Sequence, residues 1–137
     1  MERRLFESEH DIFRDSARRF FKKEVEPHRD RWYEQGKIDR EIFRKAGEQG
    51  LLLMQVDEEY GGAGLGYLEY VLVVTELSKV DPSVGISIAA HNSLGTNHIY
   101  KFGSPEQRQR WVTPLASGQK IAAWALTEPG SGSDAAG

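Results

Sequence analysis

The chain has 137 residues, 39% hydrophobic and 28% charged, which is the composition of one folded domain and not of a disordered segment. Its 18 Lys and Arg and 21 Asp and Glu leave a net charge of −3, and without a cluster of basic side chains neither a nucleic acid nor a membrane surface is indicated as a partner. The absence of cysteine excludes disulfides, thiolate metal sites and cysteine nucleophiles, and is compatible with a reducing compartment.

An amphipathic helix is predicted over about residues 8–26, because apolar side chains recur there at intervals of three and four. Ser8 and Asp11 resemble a weakened capping box at its start, and Pro27 disturbs its hydrogen bonding at the end. The side chains expected in the core are Ile12, Phe13, Ala17, Phe20, Phe21 and Val25. The side chains expected to be solvated are Arg18, Arg19, Lys22 and Lys23, together with His10 and His28.

A second segment carries Trp32 and Tyr33. Asp39 is then positioned to cap a short helix, and Gly50 stands where a left-handed residue would end it. The apolar side chains of this short helix are Ile42, Phe43 and Ala46. An apolar run, Leu51 to Met54, follows directly.

The glycine-rich stretch from Tyr60 to Gly66 is predicted to be a loop. Helical spacing resumes from Leu68 to Leu77 and is broken at Asp81-Pro82. The uncharged residues 83–100 predict a helix that is buried on most sides, since their His, Asn, Ser and Gly residues argue against a membrane span.

A further helix is predicted to begin at Ser104-Pro105-Glu106-Gln107, which has the form of a capping box, and to end near Gly118. The apolar segment Lys120–Thr127 is then predicted to be a β-strand. The fold class expected is therefore mainly α, a bundle of five to six helices over residues 1–118, followed by the start of a truncated β-domain over 119–137. Because a lone strand cannot pair with itself, we expect further chain after Gly137.

The residues after this segment combine a strand end with closely spaced glycines, in the motif Trp124-Ala125-Leu126-Thr127-Glu128-Pro129-Gly130-Ser131-Gly132-Ser133-Asp134. Such a motif is able to direct several backbone N–H groups at one anion or at the polar edge of a flavin. On composition alone, a flexible turn or a frayed terminus is the favoured interpretation. It is neither a Walker loop nor a dinucleotide fingerprint.

The ordered motif resembles the first signature of the acyl-CoA dehydrogenase family. Other segments agree with that family in order and spacing, namely Phe20-Phe21, Glu24 to Pro27, Gly50-Leu51, Tyr60 to Gly64, His91 to Gly95 and Gly103 to Gln107. The resemblance implies an α-helical amino-terminal domain, a middle β-domain and a carboxy-terminal helical domain, with FAD held between domains and subunits. It also implies that the catalytic glutamate lies in the last domain, so no catalytic residue is assigned to these 137 residues.

The resemblance further assigns roles to individual residues. The cofactor-binding positions are Trp124, Ala125, Leu126, Thr127, Glu128, Pro129, Gly130, Ser131, Gly132 and Ser133. Within them, Trp124 is expected beside the flavin ring, Thr127 at its polar edge, and Ser133 near both cofactor and substrate. The positions expected along the acyl chain of the acyl-CoA substrate are Ser87, Ala90 and Leu94, with Asn92 on the same segment.

The implied partners are an acyl-CoA and electron-transfer flavoprotein, which would dock on the first helix and the segment Leu51 to Leu68. A full-length homotetramer is implied, in the cytoplasm of a bacterium or the mitochondrial matrix of a eukaryote. The open alternatives are a non-catalytic helical interaction module and part of an acyl-CoA oxidase. Glu128 is interpreted as a turn residue and not a general base, and His91 and His98 as hydrogen-bonded helix residues and not metal ligands.

Overall fold

Helices build the fold over residues 5–136, which are the residues that the computed structural model describes. The α-helices are α1 (Ser8–Glu24), α2 (Arg29–Gln35), α3 (Glu41–Glu48), α4 (Tyr67–Val80), α5 (Pro82–Asn92), α6 (Asn97–Phe102), α7 (Pro105–Gln107) and α8 (Thr113–Ala116). Short 3-10 turns lie at Glu26–His28 and Glu58–Tyr60, and a π-helical turn, Arg108–Val112, joins α7 to α8. The mainly helical fold class predicted from the sequence is confirmed.

Helix α1 begins where the sequence predicted, but with a different cap. The backbone N–H of Glu7 donates to Nδ1 of His10 at 3.0 Å, so Glu7 is the cap residue and the predicted pairing of Ser8 with Asp11 is wrong. The buried face contains Ala17 and Phe21, as predicted, whereas Ile12 is 70% exposed because it lies on the outer side of the helix.

Helices α1 and α4 pack side by side and run in the same direction. His10 Nε2 lies 3.2 Å from Glu69 Oε1 near their amino-terminal ends, and about two turns along each helix Arg18 Nε donates to Glu76 Oε2 at 2.9 Å. His10 is buried, so the prediction that it is solvated is wrong, whereas the Arg18 side chain is 42% exposed and also bonds to Glu76 across the interface. Helical spacing alone could not show that α4 brings two carboxylates to this face.

Helix α3 lacks the predicted cap. Its first residue follows Arg40, and the Asp39 carboxylate instead accepts from Arg31 Nη2 at 2.5 Å. The hydrogen bond from Arg31 holds the pKa of Asp39 well below its ordinary value. Gly50 does adopt the predicted left-handed conformation, with φ of +66°. His28 is half-buried against Trp32, with 5.5 Å between the ring centroids.

The interior consists of two apolar clusters. The larger joins α1, α3, α4 and α5 through Phe21, Val25, Ile42, Phe43, Ala46, Val73, Leu77, Val84 and Ile88, among others. The smaller joins the segment after α3 to the π turn and α8 through Leu53, Val56, Tyr60, Val112, Leu115 and Ala116. Residues 51–54 bridge the two clusters, because Leu51, Leu52 and Met54 belong to the first and Leu53 to the second.

The predicted helix over residues 83–100 is two helices. Asp81 caps α5 by accepting from the N–H groups of Ser83 at 2.8 Å and Val84 at 3.0 Å, but α5 ends at Asn92 and α6 begins only at Asn97. Burial of α5 is also one-sided, since Ile86 is 68% exposed whereas Ile88 is fully buried. The absence of charged residues led to the prediction of burial on most sides, because the exposed positions of this segment also carry apolar or small residues.

The carboxy-terminal helical stretch begins as predicted. Ser104 N–H donates to Gln107 Oε1 at 2.8 Å, and Gln107 N–H donates to Ser104 Oγ at 3.3 Å, which completes the capping box. The stretch ends at Gly118, whose φ is +71°.

Residues 121–127 do not form the predicted strand, because no other described segment pairs with them. The β-type pairing in the described residues is a single bridge between Glu128 and Ser131. Over residues 5–136, no helix combines the length and apolar character needed to cross a membrane. In the same part of the chain, no group of three or more His, Asp or Glu side chains is placed to hold a metal ion.

We expect Glu76→Gln to lower the free energy of unfolding by about 1.5–3 kcal/mol, since it removes the charge from a buried hydrogen-bonded partner of Arg18 and Lys79. The hydrogen bond from Arg18 lowers the pKa of Glu76, so its stabilisation is present above the ordinary carboxyl pKa of about 4.3 and is lost as the pH falls below it. Urea unfolding between pH 3 and 7 measures both effects. Glu48→Gln, on the exposed face of α3, is the control and should change little.

We expect Gly118→Ala to destabilise the chain more than Gly36→Ala does. Both positions have positive φ, +71° and +69°, so both variants bear the strain of about 1–2 kcal/mol that a side chain causes there. A Cβ at Gly36 meets no heavy atom within 4 Å, whereas a Cβ at Gly118 overlaps the Phe43 carbonyl. Thermal unfolding of the two variants should therefore differ by about a further 1–3 kcal/mol, and equal losses would contradict the packing found at Gly118.

Candidate functional site

The candidate site lies where residues 121–134 leave the helical body beside the end of α5. This segment touches α5 and the following turn at three points. Ala122 N–H donates to His91 Nδ1 at 3.0 Å, a Cβ on Gly95 would lie 2.8 Å from the Ala122 carbonyl carbon, and the rings of Trp124 and His98 are 6.2 Å apart. The contacts place the start of the predicted cofactor motif against residues 91–98.

His91 is fully buried, and both of its ring nitrogens have partners. Because Nδ1 accepts from Ala122, the proton of the neutral ring lies on Nε2, which donates to the Leu115 carbonyl at 3.1 Å. Burial lowers the pKa of His91, while the hydrogen bond to Leu115 opposes this effect. His91 is therefore neutral at physiological pH. His98 Nδ1 lies 3.1 Å from the Leu94 carbonyl, so the interpretation of both histidines as hydrogen-bonded residues agrees with the geometry.

Beyond Ala122 the segment is exposed. Trp124 is 55% exposed and Leu126 46% exposed, and Ala125 and Thr127 also face solvent. The backbone groups from Ala123 to Thr127 make no backbone hydrogen bond within residues 5–136. Among residues 5–136, the segment thus presents N–H and C=O groups without a backbone partner beside an accessible indole face. Such groups are able to bind a polar aromatic ligand or to pair with another strand.

A tight turn follows at Glu128. The N–H of Glu128 donates to the Ser131 carbonyl at 2.8 Å, and the N–H of Ser131 donates to the Glu128 carbonyl at 3.2 Å. Ser131 Oγ also donates to the Asp134 carbonyl at 2.9 Å. The backbone position of Glu128 in this turn agrees with the interpretation of Glu128 as a turn residue. Pro129 lies within the turn and Ser133 is exposed just after it.

Gly130 and Gly132 have open space around them. A Cβ at either position would meet no heavy atom within 4 Å, and neither glycine has a positive φ. The packing and backbone of the described residues therefore do not require glycine at these positions. Two glycines at an exposed turn leave the main chain accessible to an approaching group.

The predicted acyl-chain positions lie on the outer side of α5 and the turn after it. Ser87 is half-buried, and its Oγ donates to the Ser83 carbonyl at 2.8 Å. Ala90 is half-buried three residues later, and Leu94 is 49% exposed four residues after that. The helical spacing puts Ser87 and Ala90 on one side of α5, and Leu94 lies in the turn that follows. Asn92 instead points inward, where its Oδ1 accepts from Leu53 N–H at 3.2 Å.

The surface expected to receive a flavoprotein partner is only partly accessible. Leu51, Leu52, Leu53 and Met54 are at most 4% exposed, because they fill the interior between the two clusters. Towards the end of the expected segment, Tyr67 is 65% and Leu68 37% exposed. The large exposed apolar side chains within residues 51–68 therefore belong to the start of α4, and α1 adds Ile12, which is 70% exposed.

The sequence did not indicate that His91 holds residue 122. The two residues are far apart in the chain, and the uncharged composition of 83–100 gave only a signal of burial. The useful signal was a histidine inside an otherwise uncharged predicted helix, because a buried imidazole needs two hydrogen-bond partners. Its partners could be named only from the structure.

Comparison with known proteins identifies the relatives of the chain. Residues 7–119 match the family model described as acyl-CoA dehydrogenase, N-terminal domain. The chain is 42% identical over 135 residues to the mitochondrial long-chain specific acyl-CoA dehydrogenase of Sus scrofa, covering 98% of this chain and 31% of the porcine protein.

Solved structures agree with the sequence match. The acyl-CoA dehydrogenase from Geobacillus kaustophilus superposes with a TM-score of 0.91 at 40% identity, covering 98% of this chain and 35% of that one. The acyl-CoA dehydrogenase from Bacillus anthracis, solved as a complex with FAD, superposes with a TM-score of 0.88 at 38% identity, covering 99% and 23%. This chain spans 23–35% of the length of these three proteins. The chain therefore belongs to the acyl-CoA dehydrogenase family, and the matched residues are those of the family's N-terminal domain.

Proposed function

We propose that this chain is the amino-terminal portion of an FAD-dependent enzyme that oxidises a fatty acyl-CoA to the 2,3-enoyl-CoA. The observation that carries the proposal is the exposed stretch from Ala123 to Thr127, which follows the helical body and whose main chain makes no backbone hydrogen bond within residues 5–136. We assign residues 1–118 to the helical domain and 119–137 to the start of a middle β-domain. Residues outside these 137 would complete the cofactor site and supply the catalytic glutamate.

The chemistry of the exposed segment fits FAD. A flavin offers an aromatic ring system with hydrogen-bonding atoms along one edge, and it therefore needs an apolar face and polar main-chain groups together. Trp124 provides an accessible indole face, and the unpaired groups from Ala123 to Thr127 provide donors and acceptors beside it. Because Gly130 and Gly132 have no side chain and open space around them, FAD would be able to approach the main chain closely there.

The roles of the individual residues follow from this arrangement. When bound, FAD would accept a hydride from the substrate, and the residues of this chain would hold the ring in place. Trp124 would pack beside the ring, and the Thr127 hydroxyl and neighbouring N–H groups would bind its polar edge. Ser133 would lie near both cofactor and acyl-CoA, and Ser87, Ala90 and Leu94 would border the acyl chain. The remaining cofactor-binding positions are Ala125, Leu126, Glu128, Pro129, Gly130, Ser131 and Gly132.

We also propose electron-transfer flavoprotein as the electron acceptor, docking on the surface that includes α1, Tyr67 and Leu68. Electron transfer requires only close approach, so the surface would act without containing a catalytic group. The longer protein would assemble as a homotetramer. The porcine relative is a mitochondrial protein; we place the present protein in the mitochondrial matrix if it is eukaryotic and in the cytoplasm if it is bacterial.

The function is tested in the longer protein that the proposal requires. Under anaerobic conditions, addition of saturated acyl-CoA thioesters of several chain lengths should bleach the flavin absorbance. Thr127→Val should weaken FAD binding by about tenfold, the effect of losing one hydrogen bond, while Thr75→Val on the exposed face of α4 should leave it unchanged. If no chain length bleaches the flavin, the dehydrogenase function is wrong. Bleaching without oxygen, combined with rapid oxygen consumption in air, would identify an oxidase.

The 137-residue chain alone should bind FAD weakly, because it supplies only part of the proposed site. Titration of the purified chain with FAD, followed by gel filtration, should leave it colourless. A stoichiometric yellow complex would show that these residues form a complete flavin site.

A further inference from the structure

His91 is a buried titratable residue that the proposed reaction does not use. Its exposure is 0%, and its ring packs edge-on against Phe43 with 5.5 Å between centroids. The neutral imidazole donates at one nitrogen and accepts at the other, so it joins the Leu115 carbonyl of α8 to the Ala122 N–H. Both groups lie outside α5, and His91 therefore connects three parts of the chain.

The chain between these two partners forms a closed loop. Gly118 N–H donates to the Leu115 carbonyl at 3.1 Å, and Lys120 N–H donates to the Pro114 carbonyl at 3.0 Å. His91 lies across the base of this loop, where the chain turns back along α5. Ala122 is the last residue before the exposed stretch, and its N–H has His91 as its partner.

Two neighbouring contacts act on the same stretch. Gly95 lies so close to Ala122 that a side chain there would collide with it. His98, whose Nδ1 is 3.1 Å from the Leu94 carbonyl, packs on Trp124. Leu94, one of the positions assigned to the acyl chain, thus lies in the sequence between His91 and Gly95, two of the residues that contact Ala122.

We propose that His91 is a positioning residue that fixes the distance between Trp124, beside the flavin, and the acyl-chain side of α5. Its effect on the reaction rests on the proposed function, whereas its effect on the segment does not. The imidazole ring is rigid and has one donor and one acceptor, so it bonds to the Leu115 carbonyl and the Ala122 N–H at the same time. Without it, the Ala122 N–H loses its partner, the Leu115 carbonyl keeps only the bond from Gly118 N–H, and the segment loses its only hydrogen bond to α5 within the described residues.

Three variants separate positioning from general stability. His91→Phe keeps an aromatic ring against Phe43 but removes both hydrogen bonds. His91→Gln is the conservative variant, since its side-chain amide retains one acceptor and donors. Phe43→Leu is the matched control, because it trims the buried neighbour of His91 while leaving both hydrogen bonds in place.

The first measurement is amide hydrogen exchange in the 137-residue chain, comparing Ala122 with Leu77 in the core of α4. His91→Phe should accelerate exchange at Ala122 about tenfold more than at Leu77, and His91→Gln should restore part of the protection. Phe43→Leu should change both amides by one common factor. If His91→Phe also changes both by one common factor, the histidine only stabilises the fold and the proposal is overturned.

The second measurement uses the longer flavin-containing protein. His91→Phe should lower the bleaching rate at saturating acyl-CoA at least tenfold and shift the flavin absorbance maximum, while Phe43→Leu leaves both unchanged per folded molecule. Equal rates in His91→Phe and the parent would overturn the link to the reaction. If the parent itself shows no bleaching, the proposed function fails, and the exchange comparison still decides the role of His91 in placing the segment.

Discussion

Two adjacent buried polar side chains at the end of α5 hold together parts of the chain that no regular hydrogen-bond ladder connects. His91 bonds to Leu115 and Ala122, and Asn92 accepts from the N–H of Leu53. A buried polar group without a partner costs about 1–3 kcal/mol, so these bonds define one arrangement of the surrounding segments. The apolar clusters alone would allow several.

The bond from Asn92 explains an unusual backbone. Leu53 has φ of +47°, a conformation that costs an L-residue about 1–2 kcal/mol and is most often occupied by glycine. Its side chain is 2% exposed and its N–H is held by Asn92, so burial and hydrogen bonding together offset the strain. Residues 51–54 are thereby fixed between the two apolar clusters. The carboxy-terminal end of α5 is attached to these residues through Asn92.

Local signals in the sequence predicted local structure well. The Ser104 capping box, the left-handed Gly50 and the break at Asp81-Pro82 each depend on residues within one turn, and each was confirmed. The predictions that failed concern contacts with residues far away in the sequence. The Asp39 carboxylate accepts a hydrogen bond from Arg31, and His10 lies against Glu69. Residues 121–127 have no strand to pair with among the described residues. Local propensity does not identify a hydrogen-bond partner that only tertiary packing brings close. The role of His91 was not predicted for the same reason.

The position of the candidate site depends on side-chain contacts, because its backbone makes few hydrogen bonds within the described residues. From Ala123 to Thr127 neither a helix nor a ladder in the described residues fixes the chain, so the bond at Ala122, the contact with Gly95 and the Trp124–His98 pair must do so. A net hydrogen bond in water-exposed surroundings contributes only about 1 kcal/mol, or roughly fivefold. Burial of His91 makes the same bond harder to exchange for water. An exposed segment can then keep a defined direction while its own groups have no partner among the described residues.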